Sequence, residues 1–129
     1  MQPTLDQVVT WTTEATDIAL KMQGENLKSH YKAAFELVTE ADSAVEAYLI
    51  EKIQAQFPDH SINAEESGEH DRDSDHKWFI DPIDGTLNYS HELPIWAVSV
   101  AYAYKAELQI GVICNPAMKE TYSAAKGQG

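Results

Sequence analysis

The stretch WFIDPIDGTLNYSHELP, Trp78–Pro94, decides how this chain is read. An aromatic-aliphatic run is followed at once by acids and turn formers, the pattern of a strand that delivers carboxylates to an exposed tip. Asp81 closes the run, Pro82 fixes φ at the turn, and Asp84 returns three residues later. Gly85 permits close approach of the backbone to an anion, and Thr86 sets a hydroxyl beside it. The main-chain carbonyl of Ile83, between the two aspartates, is a further candidate ligand. Magnesium prefers such hard oxygen donors, a few carboxylates completed by water and a substrate phosphate. A divalent cation is one standard remedy for the very slow hydrolysis of phosphate monoesters. Taken alone, DPIDGT reads equally well as an ordinary Asx-Pro turn with a glycine stop.

Working outward, 129 residues with 43% hydrophobic content are one domain's worth of chain with enough apolar residues for a core. No apolar run approaches a membrane span, and the first ten residues carry neither a charged n-region nor a cleavage site, so a cytoplasmic protein with no membrane partner is expected. The single cysteine, Cys114, excludes a disulfide framework and reads as a small core residue. Nine Lys and Arg against 21 Asp and Glu leave a net charge of −12. Phosphate contacts need the opposite sign, so a nucleic-acid partner is set aside. The acids also crowd between Asp59 and Asp84, and crowded carboxylates repel unless solvated, protonated or bridged by cations.

The first half reads as helices. Leu5, Val8, Val9, Ala15, Ile18, Ala19 and Met22 recur at helical spacing, Thr4 with Gln7 forms a capping box, and Gly24 ends the run. A polar connection, ENLKSHYKAAFE, leads to a second amphipathic helix marked by Ala41, Val45, Tyr48, Leu49, Ile53 and Phe57 and stopped by Pro58. The second half reads as strands. SINAE, KWFID, IWAVSVAYAY, ELQIGVIC and KETYSAA follow one another, with Trp96, Val98, Val100, Tyr102 and Tyr104 alternating onto one face. Short connections favour an antiparallel meander, and helices before strands give an α+β fold with two helices packed on an antiparallel sheet.

A second motif, NAEESG, places Glu65 and Glu66 at the end of a strand. It is either a solvated turn or a carboxylate arriving from a neighbouring strand to complete the same site. With both motifs in hand, the chain resembles the N-terminal half of the inositol monophosphatase family, the lithium-sensitive, magnesium-dependent phosphomonoesterases. The signature W-x-x-D-P-x-D-G-T-x-N-[FY] is met from Trp78 to Tyr89, E-E-[ST] from Glu65 to Ser67, and V-T-x-x-D within LVTEAD, Leu37–Asp42. GVICNPAMKETYSAAKGQG is similar to the hairpin that follows the metal site.

The resemblance implies that Glu65, Asp81 and Asp84 ligate Mg²⁺ through carboxylates and Ile83 through its carbonyl, with Glu66 close by. It implies that Gly85 and Thr86 receive the phosphate on backbone N–H groups. Asp42 would hydrogen-bond the Thr86 hydroxyl, and Thr86 with Glu65 would orient a metal-activated water. Asp42 reads also as a helix cap, since Thr39 and Asp42 have capping-box spacing. Ala64, where glycine is frequent, and Leu87, where a polar residue is commoner, depart from the family pattern without removing a ligand. The family's W-D-x-A-A-G motif is absent, because Trp11 and Trp96 are followed by Thr and Ala. Residues 1–129 are therefore expected to be an N-terminal metal-binding domain without its C-terminal partner, inactive alone. The complete protein is expected to be a homodimer hydrolysing inositol 1-phosphate or a related small polyol or sugar phosphate. Fructose-1,6-bisphosphatase, 3′-phosphoadenosine 5′-phosphate phosphatase and a non-catalytic metal-binding or interaction module are the alternatives.

Other constellations fail. DRDSD begins like a calcium loop, but His76 holds its glycine position and Pro82 its glutamate position. HELPI has Ile95 where a zinc-protease motif needs histidine. His30, His60, His70, His76 and His91 lack ligand spacing and are expected at the surface.

Overall fold

The computed structural model describes residues 2–29 and 34–128, with side chains for residues 2–25 and 40–128. Two long helices, α1 (Leu5–Ser29) and α2 (Ala34–Gln56), precede a sheet of β1 (Ser61–Ala64), β2 (Gly68–His70), β3 (His76–Asp84), β4 (Ala97–Tyr104), β5 (Glu107–Asn115) and β6 (Glu120–Ala125). A one-turn helix, α3 (Thr86–Ser90), lies between β3 and β4. The fold is α+β. Among the described residues no helix is long and apolar enough to cross a membrane.

The Thr4–Gln7 capping box starts α1 as expected: Thr4 N–H donates to Gln7 Oε1 (3.2 Å) and Gln7 N–H to Thr4 Oγ1 (3.1 Å). Gly24 does not end α1, which continues to Ser29, because a mid-helix glycine only weakens a helix whose face is already packed. Positions 30–33, with His30, lie outside the described residues. The α2 helix begins at Ala34, so Asp42 stands well inside it and is not a first-turn cap; the Thr39 side chain lies outside the described residues. Val8, Ala15 and Ala19 of α1 meet Ala41, Val45, Leu49 and Ile53 of α2 and the strand residues Ile62, Trp78, Val98, Val100, Tyr102 and Val112 in one core. Each fully buried aliphatic side chain there contributes roughly 1.5–3 kcal/mol. The buried Thr12 hydroxyl is satisfied within α1 by donating to Val8 O (2.7 Å).

The strand order is β2-β1-β3-β4-β5-β6. From β3 onward the neighbours are antiparallel, as the meander reading expects, but β1 pairs with β3 in parallel, Ser61 opposite Lys77 through Ala64 opposite Ile80. The sheet is therefore mixed. The reason is β2, a three-residue strand that folds back antiparallel on β1 at the edge, so that the chain re-enters beside β1 in β1's own direction. Trp78 and Ile80 face the helices, while Phe79, Leu108, Ile113 and Tyr122 are exposed.

Two histidines expected at the surface are structural instead. His60 is buried, accepts the Trp78 Nε1–H at 3.0 Å on Nδ1, and stacks on Phe57 and on His76 at 4.7 and 4.1 Å between ring centroids. His76 Nδ1 is 2.6 Å from the Tyr102 hydroxyl, and burial holds its pKa below the usual histidine value. Cys114 is buried and reduced, within 3.6 Å of Thr16 Oγ1.

Candidate active site

The parallel pairing matters because it carries the ends of β1 and β3 to the same end of the sheet. In an antiparallel pair Glu65 and Asp81 would stand at opposite ends. Instead Glu65 N–H donates to Ile80 O (3.3 Å), one step past the ladder, and the Glu65 carboxyl comes close enough to Asp81 for Asp81 to raise its pKa.

Asp81 and Asp84 are three apart, which on a regular strand would put them on opposite faces. A bulge resolves this. Asp81 pairs with Ser99 and Asp84 with Ala97, so three residues on β3 span two on β4, and both acids project to one face. Pro82 and Ile83 occupy the bulge and are buried, where the missing proline N–H costs no ladder bond. Asp84 is exposed at the tip.

The glycine turn follows. Gly85 has φ 88° and ψ 44°, a left-handed conformation, and precedes the first residue of α3, Thr86. A Cβ on Gly85 would sit 2.9 Å from Ile95 O and 3.3 Å from Trp96 Cα. The turn is clasped from outside: Asn88 Nδ2 donates to Ile95 O (2.8 Å), and Tyr89 is fully buried, donating its hydroxyl to Ala19 O (2.8 Å) and meeting Trp96 edge to face. The Trp78–Tyr89 stretch thus divides its labour, with Trp78, Asn88 and Tyr89 as scaffold and Asp81, Asp84, Gly85 and Thr86 around the tip. The N–H groups of a helix's first turn have no intrahelical acceptor.

Asp42 reaches the group from α2. It is 6% exposed, and its pKa is pushed up to about 7 by burial first and then by Glu66, Asp81 and Glu46. Glu65 is pushed up to about 7 as well, chiefly by Asp81. Asp42 Oδ1 and Asp81 Oδ1 are buried without any hydrogen-bond partner. Among the described residues the Thr86 hydroxyl makes no hydrogen bond to Asp42, so that expected contact is not formed. The Ile83 side chain is buried, leaving only its main chain at the bulge.

Sequence reasoning missed Glu46. It is 4% exposed and accepts hydrogen bonds from Glu66 N–H (2.9 Å) on Oε1 and Ser67 N–H (3.0 Å) on Oε2. The signal was present in Ala41-Asp42 and Val45-Glu46, where acids sit one helical turn apart beside core positions.

Do these residues fit a cation? The ion pairs Lys77–Glu69 and Lys126–Glu107 engage none of the acids named here. Among the described residues no three His, Cys, Asp or Glu groups close into a cage around an ion. The acids form an open cradle with two buried, unpartnered carboxylate oxygens. Magnesium keeps several waters and binds through few carboxylates, so an open cradle of hard oxygens suits it. The donor set fits.

The α+β domain thus gathers carboxylates where two parallel strands end, beside a left-handed glycine turn. A sequence model of the inositol monophosphatase family matches residues 1–129, and the chain belongs to that family. It is 40% identical over 104 residues to the Nus factor SuhB of Salmonella typhimurium strain LT2, covering 80% of this chain and 39% of that protein. It is 41% identical over 92 residues to the histidinol-phosphatase of Chlorobaculum parvum, covering 71% of this chain and 36% of that protein. The crystal structure of inositol monophosphatase-II from Staphylococcus aureus MSSA476 superposes with a TM-score of 0.84 at 28% identity, covering 96% of this chain and 46% of that one. The chain spans about half the length, or less, of the curated relatives it matches.

Proposed function

We propose that this chain is the metal-binding part of a magnesium-dependent phosphomonoesterase acting on inositol 1-phosphate or a related small polyol or sugar phosphate. The observation that carries the reading is the pair of buried, unpartnered oxygens on Asp42 and Asp81, set beside Glu65 and the Gly85 turn. Leaving such carboxylates bare is costly, and a hard cation removes the cost. Glu65, Asp81 and Asp84 hold Mg²⁺ with their carboxylates and Ile83 with its carbonyl. Bound there, the ion neutralises phosphoryl charge and acidifies water. Gly85 and Thr86 hold the phosphate on their N–H groups, in the left-handed turn that admits an anion close to the backbone. The Thr86 hydroxyl and Glu65 orient the attacking water. The histidinol-phosphatase relative supports a phosphate monoester of a small polar alcohol as substrate.

The test is calorimetry with Asp84→Asn in the complete protein. Magnesium affinity should fall at least ~10-fold, the loss of one charge-assisted contact, and turnover should vanish. Wild-type affinity in that variant would overturn the assignment. The relatives named Nus factors favour a second reading, a binding role that does not need turnover. An Asp84→Asn protein that keeps its biological role without hydrolysis would select it.

A further inference from the structure

The turn that presents Glu65 closes the β1–β2 pair, with Ala64 opposite Gly68 and the Glu65 N–H on Ile80 O (3.3 Å). Glu65, Glu66 and Ser67 are exposed, and Gly68 behind them has φ 82°, so the turn has little packing to fix it. The next two N–H groups of the turn go to Glu46, whose carboxylate oxygens take those of Glu66 and Ser67 at 2.9 and 3.0 Å. A carboxylate spanning two adjacent amides is a charge-assisted, bidentate clasp with a fixed direction. Glu46 is itself buried and lies one helical turn after Asp42 on the same face of α2. One turn of α2 therefore supplies a carboxylate to the cradle and grips the strand end that carries another.

We propose that Glu46 is a positioning residue: by clasping the 65–67 turn it holds the Glu65 carboxylate against Asp81, where the proposed cation is received. The inference rests on the proposed metal site, but its first measurement does not. Glutamine has the shape of glutamate but only one acceptor oxygen. In Glu46→Gln the side-chain amide NH₂ therefore faces one of the two backbone N–H groups and that bond is lost.

Hydrogen exchange followed by NMR on the 129-residue chain reads the clasp directly. In the wild type, the Glu66 and Ser67 amides should be protected despite their exposed side chains. In Glu46→Gln they should exchange ~10-fold faster while amides of β4 and β5 keep their protection. Magnesium affinity by calorimetry should fall ~10-fold in the same variant, and Glu51→Gln, an exposed glutamate further along α2, should change neither. Unprotected Glu66 and Ser67 amides in the wild type overturn the clasp, whether or not the variant folds. Unchanged exchange in a folded Glu46→Gln does the same. Faster exchange with unaltered magnesium affinity overturns the positioning role. A wild-type chain that binds no magnesium removes the proposed metal site and the positioning role with it, while the exchange data still decide the clasp.

Discussion

Two glycines with nearly the same positive φ give the tightest test of how the glycine turn is built. Gly68 has φ 82° and nothing within 4 Å of where a Cβ would stand; Gly85 has φ 88° and a backbone oxygen, Ile95 O, at 2.9 Å. Alanine at either position meets left-handed strain of roughly 1–2 kcal/mol. At Gly85 it also drives a methyl into the Ile95–Trp96 backbone. That segment cannot retreat freely, because Ile95 O accepts from Asn88 Nδ2 and Trp96 packs on Tyr89. Forcing atoms into packed surroundings costs about 1–3 kcal/mol more. Gly85→Ala should therefore be destabilised by ~3–4 kcal/mol and Gly68→Ala by ~1–2 kcal/mol, a gap of ~2 kcal/mol. For a domain of this size the gap corresponds to a difference in Tm of roughly 6–10 °C. Urea titration of the two variants and the wild type, with fluorescence of the buried Trp78 and Trp96 as signal, measures it. Equal midpoints for the two alanine variants would refute the reasoning, since only the close approach distinguishes the sites.

Two other predictions bear on the acids and the hydroxyl. In the complete protein, Thr86→Ala should lower kcat by ~10²–10⁴ with magnesium affinity nearly intact, because the exposed hydroxyl is assigned to water and not to the ion; a parallel fall in metal affinity would show that Thr86 acts as a ligand. In the metal-free chain, Asp42 has its folded pKa raised from 3.8 to about 7, so the folded state binds more protons between those values, and Asp42's contribution to stability is lost as pH rises through about 7. The full shift corresponds to ~4 kcal/mol and solvent screening reduces it to ~2 kcal/mol, so Asp42→Asn should gain about that much relative to wild type between pH 4.5 and pH 8. Denaturation midpoints with the same pH dependence in both proteins would contradict this.

How much of this was legible in the sequence depends on the range of the forces involved. The capping box at Thr4 and Gln7, the apolar spacing of α2 and the alternation of Trp96, Val98, Val100 and Tyr102 are local patterns, and each reads directly. Gly85 announces itself as a turn in the same way, whereas Asp81 and Asp84 both belong to β3. Strand direction at β1 is different. It is set by β2, whose three residues are too few to show any period, and by packing between residues distant in sequence. The bulge at Pro82 and Ile83 was equally hidden, because a proline after an aspartate suggests a turn whether or not a strand continues beyond it. His60 and His76 were misread because a histidine's burial depends on its partners, here Trp78, Tyr102 and each other. Glu46 was missed since an acid on a helix is usually solvated, and only the fold reveals two amides waiting for it.

These hidden features turn out to be the ones that assemble the site. Parallel pairing brings Glu65 beside Asp81, the bulge turns Asp84 to the same face, and α2 adds Asp42 and Glu46. Each adds a negative charge to a region that already has several, and two carboxylate oxygens end up buried without partners. A sequence selected for stability alone would replace Asp42 with an alanine or leucine on that apolar helix face, and would gain from the exchange. The core formed by Trp78, Leu49, Ile53 and Tyr102 tolerates the charge because it is large and continuous from helices to sheet. On the proposed reading, the same electrostatic cost would give a divalent cation its affinity: the more these carboxylates repel one another, the more of that repulsion binding would relieve. A variant that relaxes the cradle, Asp42→Asn above all, should therefore be the more stable protein without magnesium and the weaker binder of it.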